Sequence, residues 1–200
     1  MPGMLWEADY PTILESVDMA LALTDSTGRA LRFVELGVHE QGTSEDLYTY
    51  IKSKTSNFLY YCVDLREDLR DLGENCRNIS GNSWAPETLL QIQKPIHWVF
   101  IDACHCCACV HRDTLAYSSI MQPGGILVYH DASPRMQGRD PQLYSIDHDS
   151  NLAISGIKVR EALDTPGFCE AYGIELVKRA PDQAYGGTEV YRKKHVQRVI

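Results

Sequence analysis

Nothing in this chain is apolar for long. The longest nearly apolar runs, Ile96 to Ala103 and Gly125 to Tyr129, fall far short of the roughly 20 residues that cross a bilayer, so no membrane span is expected. The start, Met1-Pro2-Gly3-Met4-Leu5-Trp6-Glu7, lacks the basic stretch and apolar run of a secretion signal, and the expectation is a cytoplasmic protein. Positive charge is scarce as well: 19 Lys and Arg stand against 27 Asp and Glu, a net charge of -8. Such a balance repels polyphosphates, which argues against nucleic acid as a partner. Internal repeats and low-complexity segments are missing too.

What is present fits one domain. The chain has 200 residues, 44% hydrophobic and 23% charged, enough to bury a sizeable core and too ordinary in composition for disorder or a coiled coil. Seven cysteines are an odd number, and four of them fall between Cys104 and Cys109, which suits a reducing compartment better than a disulfide framework. Apolar spacing predicts a helix over Thr12–Leu23. Strands are expected at Leu31–Leu36, Phe58–Val63, Arg77–Ser80, Ile96–Ile101 and Ile126–Tyr129. Between them lie expected helices at Thr43–Ser53, Arg66–Leu72, Pro86–Gln93 and Cys106–Ile120, with a turn at Pro123-Gly124-Gly125. Strands alternating with helices build a parallel sheet covered on both faces. Ala132–Asp149, with Pro134, Pro141 and several aspartates, reads as a surface loop or lid. A last helix is expected over Ile154–Leu163, and strands at Ile174–Lys178 and Thr188–Tyr191 would pair as a hairpin at a sheet edge. Lys193, Lys194, His195 and Arg198 make a basic tail, the usual solvated end.

In an open parallel sheet, ligands bind beyond the carboxyl ends of the strands, where strand order reverses. The expected strand ends carry Glu35, Asp64, Asn82 with Ser83, Asp102 with His105, and His130 with Asp131. Each alone is explained by capping or packing; five in succession point to a functional cleft. The first loop, Glu35-Leu36-Gly37-Val38-His39-Glu40-Gln41-Gly42-Thr43-Ser44, has neither G-x-G-x-x-G spacing nor the lysine of a P-loop. A pyrophosphate cradle is therefore absent. Asp64, 22 positions after Gly42, sits where an acid accepts hydrogen bonds from ribose hydroxyls. An adenosine without phosphates satisfies both facts.

Val34-Glu35-Leu36-Gly37 through Gly42-Thr43-Ser44, then Phe100-Ile101-Asp102-Ala103-Cys104-His105, then Pro123-Gly124-Gly125-Ile126-Leu127-Val128-Tyr129-His130-Asp131 together resemble the class I S-adenosylmethionine-dependent methyltransferases. The resemblance is nearest to the group of small-molecule O-methyltransferases that includes macrolide-sugar enzymes. It covers about Phe33 to Asp131 and implies a single seven-stranded, doubly wound α/β domain over 1–200, with a helical cap over 1–30 and the loop or lid over 132–150. It implies that Glu35, Gly37, Gly42, Thr43 and Ser44 line the methionine part of S-adenosylmethionine, that Asp64 holds the ribose, that Asn82 and Ser83 flank the adenine, and that Asp102 lies near the methionine amino group or a metal. A side chain at Gly37 would then enter the space the cofactor fills. His105 and His130 are the implied bases, at an ordinary pKa near 6.5, with Asp131 orienting one of them. Asp102 and Asp131 would offer oxygen ligands to Mg²⁺, which some members use to orient a hydroxyl pair. The implied partner is a small-molecule acceptor, and the resemblance leaves a homo-oligomer open.

Members of the group commonly read I-D-G-D-H-S-Y where this chain reads Ile101-Asp102-Ala103-Cys104-His105-Cys106-Cys107. An acid gives way to Cys104 and an aromatic to Cys107, which makes the acceptor side of the pocket the place to expect a difference. The cysteines also offer a rival function, a metal or thiol sensor built on Cys104 to Cys109. Cys62, Cys76 and Cys169 are singletons that supply no distant second pair, so the cluster reads first as small apolar packing at a helix start.

Overall fold

A computed structural model describes residues 8–23, 28–138, 157–182 and 186–195. Seven strands form one sheet: β1 (Leu31–Leu36), β2 (Phe58–Asp64), β3 (Cys76–Ser80), β4 (Ile96–Ile101), β5 (Met121–Tyr129), β6 (Ile174–Lys178) and β7 (Glu189–Lys193), in the order β3-β2-β1-β4-β5-β7-β6. The first five run parallel; β7 is antiparallel to both β5 and β6. This is the expected doubly wound, mostly parallel seven-stranded sheet, with the hairpin at one edge.

Alternation along the strands divides the core. Phe33, Tyr60, Trp98, Phe100 and Val128 face α1 (Tyr10–Leu21) and α2 (Gly42–Lys54). Val34, Val63, Val99, Ile101, Leu127 and Tyr129 face the other side, where α4 (Cys107–Ile120), α5 (Val159–Leu163) and α6 (Phe168–Tyr172) pack. Continuous apolar strands follow from burial on both faces, each large side chain removed from water contributing about 1.5–3 kcal/mol. Trp98 is wholly buried, stacks on Phe100 with centroids 5.9 Å apart, and satisfies its one polar atom by donating to Ser16 Oγ of α1 at 2.9 Å.

Several expectations are corrected. Residues 66–72 form no helix, because other partners take the backbone groups a helix would pair internally: Asn78 donates to the carbonyls of Leu69 and Arg70, while the Gln41 amide brackets the N–H and C=O of Arg70. Residues 86–93 yield only a single turn, α3 (Pro86–Leu89). The Tyr61 hydroxyl accepts the N–H of Gln93, and Lys94 precedes a proline, a position that disfavours helix. Pro123-Gly124-Gly125 lies inside β5, in an irregularity where pairing jumps from Ile96 with Met121 to Trp98 with Ile126. Of the expected Ile154–Leu163 helix, Val159–Leu163 is formed and 154–156 lie outside the described residues; α6 was not expected. Of the loop over Ala132–Asp149, the described part holds a 3-10 turn at Pro134–Met136, and 139–149 lie outside the described residues. Lys193 is no solvated end, since its ammonium donates to the Tyr172 carbonyl at 2.7 Å, and Arg198 lies outside the described residues.

Candidate active site

Strand order reverses between β1 and β4, so the crevice beyond their carboxyl ends is bordered by the loop after β1 and by the ends of β2, β4 and β5. Gly37 has φ +80°, and a Cβ there would stand 2.2 Å from the Asp102 carbonyl oxygen and 2.6 Å from Ala103 Cα. Glycine is needed because two stretches of backbone touch. The expectation that a side chain at 37 would intrude on cofactor space is corrected accordingly: the end of β4 is met first. His39 and Gln41 also take left-handed backbone, φ 43° and 60°. Asp64 Oδ2 accepts the N–H groups of Val38 and His39 at 2.9 and 3.1 Å, and its Oδ1 accepts that of Arg66 at 3.0 Å. Asp64 thus stands at the end of β2 as expected and builds the loop; a carboxylate has about four acceptor sites, so one is left for a further donor.

Under that loop, Gly42 opens α2, Thr43 is half-buried in its first turn and Ser44 is buried. Glu35 is buried on the face toward α1 and α2. Burial pushes its pKa up to about 7, against the Tyr60 hydroxyl, which donates to it at 2.6 Å, and the nearby Ser44 hydroxyl. Glu35 and Ser44 therefore brace the loop from below. On the other side, Ser83 does not present its hydroxyl to the crevice: it donates to Asp113 Oδ1 in α4 at 2.6 Å, and the Ser83 carbonyl accepts the Tyr117 hydroxyl at 2.8 Å. Burial pushes Asp113 up to about 7, opposed by the Ser83 bond. The Asn82 carbonyl accepts the N–H of Ala85 in the turn before α3.

The chemistry gathers at the ends of β4 and β5. Asp102, His105, His130 and Asp131 each offer a donor atom within 4.8 Å of the others. Asp102 Oδ1 lies 3.1 Å from both His105 Nε2 and His130 Nδ1; His105 Nε2 also lies 3.1 Å from Asp131 Oδ2. Asp131 has left-handed backbone, φ 52°, a strained conformation of the kind that recurs at functional sites. Burial favours neutral imidazoles, but the carboxylates win. Hydrogen bonds that His105 donates to Asp102 and Asp131 raise it to about 9, and Asp102, Asp9 and Asp131 hold His130 well above its ordinary value. Asp102, though burial opposes its charge, is held below the usual carboxylate range by the two histidines. The expectation of bases at an ordinary pKa near 6.5 is thus corrected: the carboxylates shift both rings toward their protonated forms.

Asp9 was missed in the sequence. It precedes Tyr10-Pro11 and reads as a cap for α1, yet makes no capping bond to that helix. Its carboxylate accepts the Gly187 N–H at 3.1 Å and the Thr188 hydroxyl at 3.0 Å, and lies 3.5 Å from His130 Nε2. Asp113 was missed too, and only its burial marks it. The Asp102–Asp131 pair expected to hold a cation comes with two imidazoles. Mg²⁺ prefers oxygen ligands throughout, whereas a mixed imidazole and carboxylate set suits a first-row transition ion.

A profile of the family described as "Methyltransferase domain" matches residues 26–132. The chain belongs to this methyltransferase family. No curated protein matches it in sequence. Among solved structures, it resembles the O-methyltransferase TomG from Streptomyces achromogenes, in complex with SAM, at a TM-score of 0.63 and 14% identity, over 98% of this chain and 84% of that one. Human N-acetylserotonin methyltransferase in complex with SAM gives 0.59 and 12%, over 95% and 53%. The MycE methyltransferase, in complex with Mg, SAH and mycinamycin VI, gives 0.55 and 18%, over 86% and 47%. The methyltransferase domain thus spans about half the length of the latter two, and identities this low establish the fold. No helix among the described residues is long and apolar enough to cross a membrane.

Proposed function

We propose that this methyltransferase domain moves a methyl group from S-adenosylmethionine to a hydroxyl oxygen of a small molecule. The observation that carries the reading is the Asp102–His105–His130–Asp131 cluster beside the loop after β1. The crevice suits the cofactor by its donor chemistry: Asp64 keeps an acceptor site at the end of β2, and Asp102 stays ionised at the end of β4, facing a ligand that carries a sulfonium and an ammonium. When bound, the cofactor supplies a carbon already activated for displacement, so the residues need only align the acceptor and take its proton. The Gly37–Thr43 loop borders the methionine part, Asp64 the ribose and the Asn82–Ser83 backbone the adenine, with Glu35 and Ser44 bracing the loop.

His105 is the base in this reading, oriented by Asp102 and Asp131, while His130 holds Asp102 in place. A cationic ligand takes over the carboxylates as counter-charges, and the histidines then give up their protons more readily. A divalent ion held by Asp102 and Asp131, with His130 as a further donor, would supply Lewis-acid chemistry at the acceptor oxygen and leave His105 to take the proton. The test is transfer of labelled methyl to a panel of small hydroxyl compounds. His105→Ala is expected to lower turnover by roughly 10²- to 10⁴-fold while cofactor affinity holds; unchanged turnover overturns the assignment of the base. Loss of activity with chelator, restored by a divalent ion, supports the cation, and activity indifferent to chelator removes it.

A further inference from the structure

A second cluster involves the loop that carries His105 and the first turn of α4. Cys106 is the N-cap of α4, and its sulfur accepts the Cys109 N–H at 3.2 Å. The sulfurs of Cys104, Cys106 and Cys109 all lie within 4.8 Å of one another; Cys107, next in the chain, is not one of this group. Cys106 and Cys109 are buried and Cys104 is half-buried, so the trio has one more open side. Cys62 and Cys76 pair elsewhere, 3.9 Å apart between β2 and β3.

We propose that Cys104, Cys106 and Cys109 form a three-thiolate site for a thiophilic d¹⁰ cation, Zn²⁺ or Cu⁺. Soft thiolates select these ions. Metal–sulfur bonds of about 2.3 Å place sulfurs roughly 4 Å apart, so the trio needs to contract by less than about 1 Å. The N-cap and first turn of α4 supply two donors at the spacing Cys106-x-x-Cys109, and the loop supplies the third. Each thiol that binds releases its proton to solvent as its sulfur–metal bond forms. Cu⁺ is satisfied by three sulfurs, whereas Zn²⁺ takes a fourth ligand from the half-open side. The filled site ties the loop after β4 to the first turn of α4. His105 lies in that loop, and its carbonyl already accepts the Lys158 N–H at 2.8 Å next to α5, so metal occupancy restrains the Asp102–His105 segment from a second direction. The inference does not depend on the methyl-transfer reading.

The test uses the full chain, reduced and stripped of metal, titrated with Zn²⁺, Cu⁺ and Cd²⁺. One equivalent per chain is expected, retained in competition with a chromophoric chelator, with a sulfur-to-metal charge-transfer band for Cd²⁺ that the histidine and aspartate cluster cannot produce. Cys104→Ser, Cys106→Ser and Cys109→Ser each weaken binding by about a hundredfold or more, at or above the upper end of what the loss of an outer-shell partner costs, while Cys107→Ser binds as the parent does. Retention of Zn²⁺ but not Cu⁺, or the reverse, identifies the ion. Should the serine variants fail to fold, alkylation of the parent chain decides: metal is expected to slow alkylation of half-buried Cys104 while Cys107 and Cys169 react at the rate of the metal-free chain, and an unchanged Cys104 rate overturns the proposal. Absence of the band, a band that survives all three substitutions, or formation of a disulfide within the trio in place of metal binding overturns the proposal.

Discussion

Asp131→Asn isolates the electrostatics on which the site rests. The change is nearly isosteric, and asparagine tolerates the left-handed backbone at φ 52°, so charge is the main thing removed. His105 is raised from 6.5 to about 9 by its two carboxylate partners against the effect of burial. At about 1.36 kcal/mol per unit, a shift of that size corresponds to roughly 3 kcal/mol of stability. Because the folded-state value lies above the unfolded one, this contribution is complete below pH about 6.5 and is lost as the pH rises through about 9. His105 Nε2 lies 3.1 Å from each carboxylate, so removing one charge is expected to cost about half of the His105 contribution, roughly 1.5 kcal/mol, at pH 6, and that part falls away by pH 9.5. Urea unfolding of both proteins at the two pH values, after chelator treatment, gives the double difference, to which His130, also raised by Asp131, adds a part of the same sign. The His105 imidazole resonances should report its titration directly. A penalty equal at both pH values, or a parent His105 that titrates at 6.5 or below, refutes the reasoning.

Further outcomes follow from the same geometry. Gly37→Ala should lower stability by about 2–5 kcal/mol through left-handed backbone and overlap with the Asp102 carbonyl, a drop in Tm of roughly 5–15 °C for a chain of this size; an unchanged melting curve would mean that the loop and the end of β4 do not touch. Ser83→Ala removes the bond that opposes the raised pKa of Asp113, so the Asp113 titration should move further up while cofactor affinity stays within about threefold; a large loss of affinity would return the Ser83 hydroxyl to the crevice.

The strands were legible because burial on both faces leaves near-continuous apolar runs, and β1, β2 and β4 begin where the sequence places them. Arg66–Leu72 has helical composition, but the partners that unwind it, Asn78 and Gln41, come from other elements. Pro86–Leu89 opens as its proline predicts and ends early because Tyr61, far away in sequence, takes the N–H of Gln93. In the site, Asp102, His105, His130 and Asp131 were visible as strand-end residues, and their convergence follows from the adjacency of β4 and β5. Their charge state was not visible: it depends on distances among four side chains and on Asp9, whose role is fixed by contact with Gly187, Thr188 and His130 and not by the helix it precedes. Local spacing put Cys106 and Cys109 on one face; the approach of Cys104 depends on how the loop after β4 turns.

The crevice between β1 and β4 is the proposed seat of S-adenosylmethionine. Calorimetric titration of the parent chain with S-adenosylmethionine and S-adenosylhomocysteine tests it most directly. Saturable binding of both at one site per chain is expected, weakened by roughly 1.5–3 kcal/mol in a folded Asp64→Ala variant, which loses a charged acceptor. Failure of the folded parent chain to bind either ligand would contradict it.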